Sequence, residues 1–67
     1  MDTRAKLSAN MIRLRKEKGW SQEELADQSG LHRTYVSGVE RKDRNPTIMV
    51  LEKIAMALGV TVAQLVE

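Results

Sequence analysis

Cysteine is absent from this 67-residue chain, which excludes disulfides and any cysteine-based metal site. His32 is the lone histidine, and the scattered carboxylates show no metal-ligand spacing around it. Aromatic residues are nearly absent too: with only Trp20 and Tyr35, aliphatic side chains must build the core. No run approaches the roughly 18 to 20 apolar residues of a membrane span. The basic N-terminus is not followed by the apolar stretch of a signal peptide, so the expected location is the cytoplasm. The length suits one domain over residues 1–67 and excludes a multidomain enzyme. There is no nucleophile–base pair, no phosphate-cradling loop and no length for a substrate pocket. Catalysis is not expected, and neither is a cofactor.

The residues that are abundant are Leu, Ala, Met, Glu, Lys and Arg, which favour helices. The expected fold class is all-α. The formal net charge of +2 hides an uneven distribution. Residues 1–20 carry Arg4, Lys6, Arg13, Arg15, Lys16 and Lys18 against Asp2 and Glu17. Residues 21–30 hold only the acids Glu23, Glu24 and Asp27, and residues 31–45 carry Arg33, Arg41, Lys42 and Arg44 against Glu40 and Asp43. Clustered cations are the footprint of a polyanion partner. The first stretch fits a solvated helix face equally well, whereas the second is decided by its context.

Local signals divide the chain into five helices. Leu7, Met11 and Leu14 form one stripe of a helix over 3–18, ended by Gly19. Ser21 with Glu24 reads as a capping box, and Trp20 with Leu25 as a hydrophobic staple, opening a short helix over 22–28 that Gly30 stops. A third helix runs from Leu31. Residues 41–46 form a polar loop, since Pro46 disfavours helix at Asn45. A fourth helix starts at Thr47 as cap or with Pro46 at its first position. Its inward stripe is Ile48, Leu51, Ile54, Ala55 and Leu58, closed by Gly59. Thr61 with Gln64 and Val60 with Leu65 repeat the box and staple before a last short helix.

Residues 22–40 meet the demands of a helix-turn-helix. Ala26 is small where two helices would cross, Gly30 suits a sharp turn, and Leu25, Leu31, Val36 and Val39 point inward. If the second of these helices enters a DNA major groove, its outward residues are Arg33, Thr34, Ser37 and Gly38. Arg33 can donate a bidentate fork to guanine, and Thr34 offers a hydroxyl and a methyl to a base edge. Ser37 is a third candidate reader. Gly38 has two readings, close approach to DNA or relief of packing. Gln22 opens its helix, where free N–H groups and the dipole favour a phosphate.

The runs Gly19-Trp20-Ser21-Gln22-Glu23-Glu24-Leu25-Ala26 and Gly30-Leu31-His32-Arg33-Thr34-Tyr35-Val36-Ser37-Gly38-Val39-Glu40-Arg41 resemble the Cro/repressor-like (XRE) helix-turn-helix family. Asn45-Pro46-Thr47 and residues 51–60 resemble its fourth helix. The segment 33–41 with Arg44-Asn45 is also similar to controller proteins of restriction–modification systems. This resemblance implies a compact five-helix, lambda-repressor-like fold and a transcriptional regulator that binds double-stranded DNA. The recognition helix would be 32–40. It assigns the DNA backbone to Gln22, Tyr35, Arg41, Arg44 and Asn45, with Arg44 able to reach into the minor groove instead. It pairs Arg15 with Glu40 as a structural ion pair.

Met49, Val50 and Met56 stand where the family is usually polar, and with Val62 and Val66 they are candidates for a homodimer interface. The alternative for them is a loosely filled, Met-rich core. Ser29 also departs from the family, which usually has an apolar residue there. A dimer on a palindromic operator is the expected mode, with no small-molecule effector. The rival reading is a protein-interaction or antitoxin-like module of the same fold without specific DNA binding, against which Gln22, Arg33, Arg41 and Arg44 argue.

Overall fold

A computed structural model describes residues 3–67. They form α1 (Thr3–Glu17), α2 (Gln22–Ser29), α3 (Arg33–Glu40), α4 (Ile48–Leu58) and α5 (Val62–Val66), with no strand among the described residues. The helices begin where side chains can satisfy first-turn N–H groups. Ser21 Oγ accepts from the Glu24 N–H at 3.0 Å, Thr47 Oγ1 from Val50 at 3.3 Å, and Thr61 Oγ1 from Gln64 at 3.1 Å. Thr47 is therefore the cap of α4, and Pro46 lies outside the helix.

Only the Thr61–Gln64 box is reciprocal, through a 2.8 Å bond from the Thr61 N–H to Gln64 Oε1. At Ser21 the box expected from sequence is a one-sided cap, because Glu24 Oε2 accepts instead from Gln28 Nε2 at 2.9 Å. The third helix also starts later than its apolar pattern indicates. The Leu31 N–H is spent on the Ala26 carbonyl at 2.9 Å, closing α2, and His32 is extended as the N-cap. Hence α3 begins at Arg33.

Helix ends follow one scheme. After α1, α2 and α4 a glycine takes the left-handed conformation, at φ 72°, 71° and 73° for Gly19, Gly30 and Gly59. The following N–H then reaches back to a carbonyl inside the helix, as from Trp20 to Arg15 and from Val60 to Ala55, both at 3.0 Å. At the end of α3 the left-handed position is filled by Lys42, φ 67°.

Every helix contributes to the core. Met11, Leu25, Val36, Val39, Ile54 and Leu65 are all but sealed from solvent, and Leu14, Trp20, Leu31 and Tyr35 pack around them. The layout sets α2 against α3 and α4, and α1 against α3 and α5. One member of the expected inward stripe does not belong to it: Ile48 is 62% exposed. It is the first residue of α4 and stands clear of the packed body, which the helix joins from Val50 and Leu51 onward, with Ile54 and Ala55 buried.

Buried polar side chains are few and paired. The Ser29 hydroxyl donates to the Leu25 carbonyl at 2.7 Å and to that of Ala26 at 3.2 Å. This lets a polar residue sit in a position the family usually fills with an apolar one. Asn10 on α1 donates to the Leu65 carbonyl at 2.8 Å, tying down the end of α5.

Candidate nucleic-acid interface

The α2–turn–α3 unit is fixed at its base by Glu40, the last residue of α3. Its carboxylate accepts from Arg15 Nε at 2.8 Å and Nη2 at 3.1 Å, and from Gln22 Nε2 at 3.0 Å. Arg15 Nη1 also donates to the Trp20 carbonyl at 2.9 Å, and the Ser8 hydroxyl donates to the Glu40 carbonyl. One buried acid thus ties the end of α3 to α1, to the start of α2 and to the connection between them. The fork of Arg15 on Glu40 is the bidentate geometry that gives an ion pair its directionality.

That base leaves the opposite face of α3 open. Arg33 and Thr34 occupy its first turn, both exposed, while Val36 and Val39 point into the core. Ser37 follows one turn later, half-buried, and its hydroxyl accepts from Arg41 Nη1. Arg41 Nε is also 3.0 Å from Asp43 Oδ2, in a pair that is more than half exposed. Arg44 and Asn45 continue this edge from the loop, with the Arg44 guanidinium carbon 5.8 Å from the centroid of the Tyr35 ring. Tyr35 itself packs partly on the core. Arg33, Arg41 and Arg44 therefore border one exposed helix face, and the acids near it are committed: Glu40 inward, Asp43 to Arg41.

The sequence-derived candidates fall into three groups. Arg33, Thr34, Ser37, Tyr35, Arg41, Arg44 and Asn45 lie together on α3 and the loop that follows. Gln22 lies at the start of α2, but its side-chain nitrogen is turned to Glu40. The first-turn N–H groups of α2 are what remain there for a phosphate. Arg15 faces inward at the base, in the ion pair with Glu40. The α4 and α5 candidates divide: Met49 and Met56 are 67% and 84% exposed, whereas Val50, Val62 and Val66 are partly covered by the core. Ser8 and Asn10 are additions that sequence reading did not single out. Both flank the apolar stripe of α1, the one signal that points to them.

Comparison with known proteins agrees with this geometry. A family model described as "Helix-turn-helix" matches residues 11–65. A hypothetical transcription factor of Neisseria meningitidis serogroup B is 59% identical over 64 residues. That match covers 96% of this chain but only 60% of the relative's length. The restriction–modification controller protein C.AhdI from Aeromonas hydrophila superposes with a TM-score of 0.88 at 44% identity, covering 92% of this chain and 94% of that one. The biofilm master regulator SinR, solved in complex with DNA and known from Bacillus subtilis, gives 0.86 at 39% identity, covering 91% and 98%.

Proposed function

This chain belongs to the helix-turn-helix family of DNA-binding transcriptional regulators, and from that premise we propose that it binds a palindromic operator as a homodimer with α3 in the major groove. The observation that carries the reading is the exposed face of α3, where Arg33, Thr34 and Ser37 stand in order beside the cations of the loop. Arg33 and Thr34 read base edges from the first turn, the part of a recognition helix that meets them. Ser37 reads from the next turn once Arg41 releases its hydroxyl. Arg41, Arg44, Asn45 and Tyr35, with the start of α2 at Gln22, hold the phosphate backbone.

A single module of this size makes a small interface, and doubling it raises both affinity and specificity. Among the described residues, the exposed large apolar side chains are Ile48, Met49 and Met56, all on α4. They are the surface on which a second copy would pack, flanked by Val50 and, on α5, by Val62 and Val66. Half-sites would then lie about 10 base pairs apart. The protein works in the cytoplasm, on the nucleoid, without a small-molecule effector.

Selection of bound DNA from a random pool tests the reading directly. Enrichment of an inverted repeat with that spacing supports it, and a pool that stays random overturns it. Salt titration of the complex discriminates against an interaction module, since only a DNA binder loses affinity steeply as ions compete for phosphates. Sedimentation showing monomer alone at high micromolar concentration removes the dimer.

A further inference from the structure

Gly38 sits in the middle of α3, where glycine is about 1 kcal/mol less favourable than alanine. No left-handed backbone requires it there. Space does: a Cβ at position 38 would stand 2.7 Å from Arg44 Cγ, 3.5 Å from its Nε and 3.7 Å from its Cδ. Gly38 belongs to the helix face turned away from the core, yet it is buried, and what lies against it is the stem of Arg44. The turn after α3 makes this approach. The Asp43 N–H returns to the Gly38 carbonyl at 2.8 Å and the Lys42 N–H to Val39 at 3.0 Å, so Arg44 starts beside α3. Its guanidinium then ends over Tyr35, within reach of a cation–π contact.

We propose that Gly38 is a positioning residue: a notch that seats the Arg44 stem across the recognition helix and holds its guanidinium against Tyr35, so that this cation meets DNA from a fixed place. The inference rests on the DNA-binding reading above. Cγ is only the second carbon of the side chain, so a methyl at 38 is not relieved by moving the tip. Arg44 must take a new χ1, which carries the whole guanidinium away from Tyr35. Ordering a long cation before binding removes part of the entropy cost of immobilising it.

The test is a double-mutant cycle of Gly38→Ala and Arg44→Ala. Its readouts are affinity for the selected DNA, the thermal midpoint, and the NMR shifts of the Arg44 γ and δ protons in the free protein. Gly38→Ala should melt no lower than the parent and bind about tenfold more weakly, the size of one lost arginine contact. It should also lose the upfield ring-current shift of the Arg44 protons, and cause no further loss of affinity when Arg44 is already alanine. Tyr35→Leu provides a second route that keeps the notch but removes the stack, and its Arg44 protons should also lose the shift. Parent-like binding by Gly38→Ala, an equal loss in both Arg44 backgrounds, or Arg44 protons without a ring-current shift in the parent would overturn the seat while leaving DNA binding intact. A parent chain that selects no DNA would overturn both together.

Discussion

Glu40 and Arg41 are neighbours in the chain, and each is half of an arginine–carboxylate pair whose nitrogen and oxygen stand about 3 Å apart. Their surroundings differ in every other respect. In the Arg15–Glu40 pair the side chains are 12% and 4% exposed, and Gln22 and the Trp20 carbonyl complete the hydrogen bonding. In the Arg41–Asp43 pair they are 58% and 62% exposed. A buried pair cannot lose one member without stranding a charge in a poorly polarisable medium. An exposed one competes with water and salt and contributes at most about 1 kcal/mol. The peptide bond between residues 40 and 41 thus marks the boundary between the part of the motif that must stay and the part free to exchange its partner for a phosphate.

The largest effect should come from breaking the buried side. Glu40→Ala leaves the Arg15 guanidinium without its acid and Gln22 without its acceptor, at a cost of about 3–5 kcal/mol. A chain of this length has roughly 3–10 kcal/mol in total, so the variant should be largely unfolded near the lower end of that range. Urea denaturation followed by helical circular dichroism measures this, and a loss below about 1 kcal/mol would show that the network does not hold the motif. Next in size is Arg33→Ala, on the open face. It should leave the denaturation midpoint unchanged but cost about 1–3 kcal/mol of DNA affinity, confined to one operator position. Equal losses on selected and random DNA would remove Arg33 from the reading role.

The two regions also differ in how far they can be read from sequence. The open face was legible because it depends on one helix: with Val36 and Val39 inward, Arg33, Thr34 and Ser37 have only the other side to occupy. Caps at Ser21 and Thr61 were legible for the same reason, being contacts between residues three apart, whereas Thr47 and Pro46 competed in sequence for the start of α4. The buried base was not derivable that way. Pairing of Arg15 with Glu40 came only with the family resemblance, and nothing local indicates that Ser8 reaches a carbonyl 32 residues away or Asn10 one 55 residues away. Ile48 matches the helical period, but periodicity does not say where a neighbouring helix ends. For Gly38 the sequence supports two readings, since the loop that covers it has no regular period to extrapolate.

Arg41→Ala tests the exposed side. Its stability should change by no more than about 0.5 kcal/mol, while binding to all sequences weakens alike and the salt slope falls by about one. A sequence-dependent loss would move Arg41 from the backbone to the bases. Asp43 holds the Nε of Arg41, so the proposed phosphate contact would require that bond to open.

The smallest expected effect on DNA binding lies one residue further on. Three helices close through a left-handed glycine, but α3 closes through Lys42 at φ 67°. A side chain with a Cβ is disfavoured there, whereas glycine adopts the conformation freely but loses more entropy on folding. The balance favours Lys42→Gly by about 0.5–1 kcal/mol in folding stability, because the native turn is already left-handed. DNA affinity should fall by only the loss of one diffuse cation, seen as a shallower salt dependence. If the glycine variant instead melts lower, the lysine stem must make contacts that outweigh its backbone conformation. A variant more stable than the parent yet weaker on DNA would show that the turn after α3 trades folding stability for a positive charge.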